Sequence, residues 1–170
     1  NNSKTLKFAE EILKQIKYVI IDADAISSFK NKTKNLLKYL DQNKIITPHE
    51  GEFHRLFPKI KKKLSNKDKV LKFLKLTKSN ILLKGSTTVI GSSKKIIISQ
   101  HSSSELAVIG SGDVLAGILS SLVGDKKMKM YEAASAATWI HGNIAKKFGK
   151  GLISEDLVKG IQKSLNELKK

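Results

Sequence analysis

Tyr18-Val19-Ile20-Ile21-Asp22-Ala23-Asp24-Ala25 is a short apolar run that stops abruptly on acidic residues. A run rich in β-branched residues, without polar alternation, reads as a strand buried on both faces, the kind that parallel sheets use. An amphipathic helix is expected before it, over residues 5–17, with Leu6, Ala9, Ile12, Leu13 and Ile16 on one stripe. Helix signals return over 30–42 with Leu36, Leu37 and Leu40, and 43–46 is a second strand that stops at Thr47-Pro48-His49. Residues 50–57 read as a short helix, 59–63 as a basic connection, and 67–76 as a helix capped by Ser65 or Asn66. Asn80-Ile81-Leu82-Leu83 is a third strand that runs into Lys84-Gly85.

Helices that alternate with short apolar strands predict an α/β fold, with a mostly parallel sheet covered by helices on both faces. Further along, 87–90 and 94–99 alternate like a hairpin around Gly91-Ser92-Ser93. Helices are expected over 112–123, 129–147 and 155–168. Ser154 caps the last of these, with Glu155 and Asp156 in its first turn. No repeat or linker interrupts the chain, so one domain over 1–170 is expected.

The three strands end on Asp22-Ala23-Asp24, on Thr47-Pro48-His49 and on Lys84-Gly85. Ligands of open α/β sheets bind at the carboxyl ends of strands. Asp22 and Asp24 flank Ala23 and would share a face of the strand, most simply as structural hydrogen-bonding groups. Pro48 breaks its strand and sets His49 at the sheet edge, where it can bond a substrate hydroxyl or amide. Glu52, one helical turn on, either organises water around Mg²⁺ or reaches back to its own helix start. Lys84, Gly85, Ser86, Thr87 and Thr88 suit nucleotide phosphates or ribose, and equally suit an exposed turn.

Gly110-Ser111-Gly112-Asp113 opens into Val114-Leu115-Ala116-Gly117-Ile118-Leu119. Glycines allow a tight turn, and a helix start behind them offers unpaired N–H groups and a partial positive charge. This is an anion hole suited to phosphate, with Asp113 at its lip as a base for an attacking hydroxyl. The alternative is an ordinary loop with Asp as the helix cap. His141 and Trp139 lie in a small-residue helix and suit the lining of a nucleotide base or, more simply, the core, while His54 and His101 show no partner. The four histidines lack the spacing of zinc ligands.

The chain has 170 residues, a net charge of +17 and no cysteine. That length suits one hydrophobic core, and the missing cysteines exclude disulfides and thiolate chemistry and fit a reducing, cytoplasmic setting. Arg55 is the single arginine, and the lysines are spread along the chain. Nucleic-acid readers favour the arginine fork, so the charge reads as a solvated surface that attracts a polyanionic small substrate, with no nucleic-acid partner. No run approaches the ~20 apolar residues of a membrane-spanning helix, so no membrane partner is expected.

The set Val19-Ile20-Ile21-Asp22-Ala23-Asp24-Ala25, Thr47-Pro48-His49-Glu50-Gly51-Glu52-Phe53, Leu83-Lys84-Gly85, Leu106-Ala107, Gly110 through Gly117, and His141-Gly142 resembles the ADP/ATP-dependent NAD(P)H-hydrate dehydratase family. The tail Gly151-Leu152-Ile153-Ser154-Glu155-Asp156-Leu157 is similar to the family's closing helix. The resemblance implies a ribokinase-like three-layer α/β sandwich. It also implies repair of hydrated NADH or NADPH: ADP or ATP, with Mg²⁺, phosphorylates the hydrate's hydroxyl, and phosphate then leaves. Asp113 would be the base. Gly110, Ser111 and Gly112 would hold the phosphate, residues 84–88 the adenine nucleotide, and His49 the hydrated dinucleotide.

The family's opening strands and its Gly-Pro-Gly-Leu-Gly-like loop have no counterpart in this sequence. The resemblance therefore implies an N-terminally incomplete domain, with the missing segment or a second copy as partner. Two alternatives share the same residues: a small-molecule kinase acting on a heterocyclic alcohol or sugar, and an inactive binding or assembly module. Ile109 stands where the family has a small residue, and a β-branched side chain there is expected to crowd the phosphate.

Overall fold

The computed structural model describes residues 2–99 and 103–167; His101 and Ser102 lie outside them. The chain divides into two compact units, 1–98 and 99–170.

The first unit is a five-stranded sheet flanked by helices, in the order β1 (Val19–Ile21), β2 (Lys44–Ile46), β3 (Asn80–Leu83), β4 (Val89–Gly91), β5 (Ile96–Ile98). β1, β2 and β3 are parallel, with Val19 opposite Lys44 and Ile46 opposite Ile81. β3, β4 and β5 then form an antiparallel meander, with Leu82 opposite Ile90 and Ile90 opposite Ile97. The hairpin expected around Gly91 is the β4–β5 turn, closed by Ser92 N–H donating to Lys95 O at 2.8 Å. Thr47 ties the first two strand ends together, since both its N–H (3.0 Å) and its hydroxyl (3.1 Å) donate to Ile21 O.

Helices α1 (Asn2–Gln15), α2 (Ala23–Ser28), α3 (Thr33–Tyr39), α4 (Glu50–Leu56) and α5 (Asn66–Leu74) supply the rest of this unit. Ile21, Ile26, Phe29, Leu36, Ile46, Phe53, Phe73 and Leu83 are buried in one cluster. Phe53 packs on Phe57 with ring centroids 5.1 Å apart, and Phe57 on Phe73 at 5.5 Å. Burial of side chains this size contributes roughly 1.5–3 kcal/mol each before chain entropy is subtracted. A Cβ on Gly91 would lie 2.4 Å from Val70 Cγ1, so glycine is what lets β4 seat on α5.

The structure differs from the sequence expectation at α2. The strand ends at Ile21, and the chain turns straight into a helix through Ala23, whose φ is +46°. Asp22 is therefore the residue before the helix and Asp24 lies in its first turn, so the two carboxylates do not share a strand face. α3 is also shorter than the expected 30–42, because Asn31 takes φ +65° and Leu40 is extended.

The second unit contains α6 (Ser111–Gly124), α7 (Met130–Phe148) and α8 (Ser154–Glu167), preceded by a single 3-10 turn at Ser104–Leu106. Small residues bring these helices together: Ala133, Ala134, Ala137 and Ala145 are buried on α7. A Cβ on Gly160 would stand 2.5 Å from Ile144 Cγ2, so α8 approaches α7 closely at that point. Gly149 takes φ +80° and ends α7. Among the described residues, no helix is long and apolar enough to cross a membrane.

Candidate functional site

Because β1, β2 and β3 are parallel, Asp22, His49 and Lys84 follow neighbouring strand ends. Lys84 N–H donates to Pro48 O at 2.8 Å, which extends the β2–β3 ladder by one bridge between His49 and Lys84. The Lys84 ammonium then lies 2.8 Å from Asp22 Oδ1, with both side chains mostly buried. Asp22 makes no side-chain bond to the start of α2. Its carboxylate serves the lysine instead, and the positive φ of Ala23 beside it is strained backbone of the kind that clusters at functional sites.

His49 is the cap of α4. Its Nδ1 accepts from Gly51 N–H (3.0 Å) and Glu52 N–H (3.4 Å), while Glu52 Oε2 accepts from His49 N–H at 2.9 Å. This is a reciprocal capping box with an imidazole in place of the usual hydroxyl. With Nδ1 accepting, the neutral ring carries its proton on Nε2. The side chain is 53% exposed, and its Nε2 lies 3.6 Å from Glu52 Oε2. Of the two readings of Glu52, the structure has the helix-start one: its carboxylate is buried and engaged by His49 N–H. No group of three His, Asp or Glu side chains suited to hold a metal occurs among the described residues.

Gly85, Ser86 and Thr87 are exposed between β3 and β4. Asn66, at the start of α5, donates its amide to Thr87 O at 2.9 Å and to Glu50 Oε1 at 3.3 Å. Lys69, buried, donates to Glu50 Oε2 (2.9 Å) and to Asn66 Oδ1 (3.1 Å). The hydrogen bond from Lys69 holds the Glu50 carboxyl below its ordinary value. Nearby, burial and then the Lys69 charge push the His54 pKa down. The sequence pointed to Asn66 only as a helix cap. In fact Ser65 caps α5, accepting from Asp68 N–H, which leaves the Asn66 amide for the loop.

In the second unit, Gly110 takes φ +82° immediately before α6. A Cβ there would meet Ser154 Oγ at 2.8 Å, so both backbone and space demand glycine. Ser154 does not spend its hydroxyl on its own helix; it donates to Ile109 O at 2.6 Å. Asp156 reaches back to Ile153 N–H at 3.2 Å in its stead. Ser111 is buried, with His141 Nε2 3.1 Å from its Oγ and 3.0 Å from its carbonyl oxygen. His141 is thus core, as expected, and also a brace for this loop.

Ser111 N–H donates to Val108 O at 3.3 Å and Val114 N–H to Gly110 O at 3.1 Å. The orphan donors of this helix start are therefore at Gly112 and Asp113. Asp113 is exposed in the first turn. Ile109, beside the left-handed turn at Gly110, is 98% exposed.

The chain matches the family model described as NAD(P)H-hydrate dehydratase over residues 1–165. It belongs to that family. It is 34% identical over 134 residues to an ADP-dependent (S)-NAD(P)H-hydrate dehydratase of Neisseria meningitidis, covering 76% of this chain and 45% of the relative. It is 30% identical over 166 residues to a bifunctional NAD(P)H-hydrate repair enzyme of Archaeoglobus fulgidus, covering 96% of this chain and 32% of the relative. The chain thus spans less than half the length of these relatives. The fold is ribokinase-like: a ribokinase-like superfamily protein from Enterococcus faecalis superposes with TM-score 0.75 at 22% identity, covering 93% of this chain and 58% of that one. An ADP/ATP-dependent NAD(P)H-hydrate dehydratase from Bacillus subtilis, co-crystallised with ATP and Mg²⁺, superposes with TM-score 0.72 at 20% identity, covering 96% and 62%.

Proposed function

We propose that this chain takes part in the ADP- or ATP-dependent dehydration of hydrated NADH and NADPH. The observation that carries the reading is the left-handed turn at Gly110 feeding directly into α6, with the Asp113 carboxylate exposed in the first turn. Orphan N–H groups at a helix start favour a phosphoryl group, and a carboxylate beside them favours an attacking hydroxyl. The names of the relatives supply the substrates.

In this reading Asp113 accepts the proton of the hydrate's hydroxyl as its oxygen forms a bond to the nucleotide's terminal phosphorus. The bond from that phosphorus to the bridging oxygen breaks, and ADP or AMP leaves. N–H groups around Gly110, Ser111 and Gly112 hold the transferring oxygens, with Gly112 and Asp113 as the unpaired donors. The carbon–oxygen bond then breaks, phosphate departs with the bonding pair, and a neighbouring ring carbon loses a proton, which restores the reduced nicotinamide. Residues 84–88 hold the nucleotide, with Lys84 kept in place by Asp22. His49 donates from Nε2 to the dinucleotide.

Mg²⁺ supplies charge neutralisation on the nucleotide's phosphates when bound. Such an ion needs one or two carboxylates and takes its other ligands from phosphate and water. Glu52 does not fit that part, because its carboxylate is buried and taken up by His49 N–H, so no residue of this chain is assigned to the ion. The relatives' greater length is consistent with a further segment, or a second copy, as partner.

The test is to incubate the chain with hydrated NADH and ADP or ATP and follow NADH absorbance together with free phosphate. Recovery of NADH with release of phosphate supports the proposal, whereas a stable phosphorylated product supports a kinase in its place.

A further inference from the structure

The loop between β3 and β4 is held at both ends by groups outside it. At its start, Lys84 is fixed by Pro48 O and by Asp22. At its far end, Thr87 O accepts from the Asn66 amide at 2.9 Å. Between these anchors Gly85, Ser86 and Thr87 are exposed, and Thr88 Oγ1 lies 3.4 Å from Gly85 O. An exposed three-residue segment of this kind has many accessible shapes unless something chooses among them.

Asn66 is itself constrained on its other side. Its Oδ1 accepts from Lys69 at 3.1 Å, which fixes the amide orientation so that Nδ2 faces Thr87 and Glu50. Lys69 is only 2% exposed, and its charge is met by Glu50 at 2.9 Å. Removing a buried ammonium from water is costly, and a helix–helix contact alone would be served as well by an apolar side chain. What the charged pair adds here is a fixed polar edge. A Cβ on Gly85 would lie 2.7 Å from Asn66 Nδ2 and 3.0 Å from Glu50 Oε1, so the loop backbone lies directly against that edge.

We infer that Asn66, oriented by Lys69 and Glu50, is a positioning residue that fixes the 84–88 loop in the shape that receives the adenine nucleotide. The inference rests on the proposed reading of that loop as nucleotide-binding. It extends the site to α5 and to the first residue of α4, and it makes nucleotide affinity depend on a side chain that need not touch the ligand.

The test uses the 170-residue chain. Amide exchange of Gly85 to Thr88 and the Kd for ADP are measured for the wild type, Asn66→Ala, Glu50→Gln, Gly85→Ala and the Asn66→Ala/Gly85→Ala pair. Loss of the Asn66 donor is expected to raise loop exchange and to weaken ADP binding by about five- to tenfold, the effect of about one hydrogen bond. Amides of β3 and the melting temperature should change little. Gly85→Ala should weaken ADP binding in the wild type and add little once Asn66 is alanine, since the two report one contact.

ADP that leaves the exchange of 84–88 unaltered in the wild type would overturn the nucleotide reading of the loop. Protection by ADP in the wild type, with exchange and Kd unchanged in Asn66→Ala, would overturn the positioning role alone. Fully additive effects of Asn66→Ala and Gly85→Ala would do the same. Should Asn66→Ala fail to fold, Glu50→Gln carries the comparison, with the same expected direction and a smaller effect.

Discussion

Lys84 Nζ sits 2.8 Å from Asp22 Oδ1, so the lysine that leaves β3 reaches across the end of β2 to a carboxylate at the end of β1. The pair joins three parallel strands at the edge where ligands of such sheets bind. The Asp22→Ala variant would leave a mostly buried ammonium without its partner, at a cost of about 2 kcal/mol. Urea unfolding of the two proteins measures this. A loss below about 0.5 kcal/mol would mean that solvent satisfies Lys84 as well as Asp22 does.

Gly110 is held to glycine by its left-handed φ and by the 2.8 Å approach of Ser154 Oγ to the place a Cβ would occupy. Replacing it with alanine should destabilise by about 1–3 kcal/mol, the usual range for strain at such a position. Ser154→Ala removes the crowding atom together with its hydrogen bond to Ile109 O. Gly110→Ala should therefore cost less in the Ser154→Ala background than in the wild type, and thermal melts of the four proteins would reveal equal costs if the contact were immaterial.

Ile109 points into solvent beside the same turn. Ile109→Ala should change stability by no more than about 0.5 kcal/mol. ADP affinity should also stay as it is. A marked tightening of ADP binding on calorimetric titration would show that the side chain does obstruct the phosphate.

Two groups in the first unit tie stability to pH. The His54 pKa is lowered, chiefly by burial and then by Lys69, so the folded chain holds that ring neutral while the unfolded chain takes up a proton. Stability from this source is complete above the ordinary histidine value of about 6.5 and is lost as pH falls through the depressed folded value. The Glu50 pKa is lowered by its bond from Lys69, so it adds a second loss at more acid pH, as the carboxylate range is crossed downward. Melting temperature against pH should thus fall in two stages on acidification. In the Glu50→Gln variant the lower stage should shrink and the upper one remain; an unchanged lower stage would remove Glu50 from this role.

Much of the first unit was legible because its signals are local. Short apolar runs marked β1, β2 and β3, and the strand ends at Asp22, His49 and Lys84 followed from those. The cap of α5 was legible only as Ser65 or Asn66, from their place before an apolar period, and the structure has Ser65. α2 was not, because Ala23-Asp24-Ala25-Ile26-Ser27-Ser28 is too short to show a period and starts from a positive φ that alanine does not advertise. The pairing of Asp22 with Lys84 joins residues far apart in the chain, and the brace of His141 on Ser111 does likewise. Such bonds follow from tertiary placement, which no local pattern reports. Ser154 misled for a related reason: a serine at a helix start usually caps that helix, but a nearby carbonyl at Ile109 claims this one.

In the proposed reaction Asp113 takes the proton of a hydroxyl that attacks a phosphoryl group held at the start of α6. Asn in its place keeps the size and the exposed position while losing the base, and general-base removal costs on the order of 100- to 10,000-fold in rate. The decisive measurement is recovery of NADH from its hydrate, with ADP or ATP present, by the wild-type chain and by Asp113→Asn at equal concentration and matched melting temperature. Recovery by the wild type that falls at least about 100-fold in Asp113→Asn is the expected result. Equal rates for the two proteins, or no recovery by either together with no binding of nucleotide, would contradict the claim.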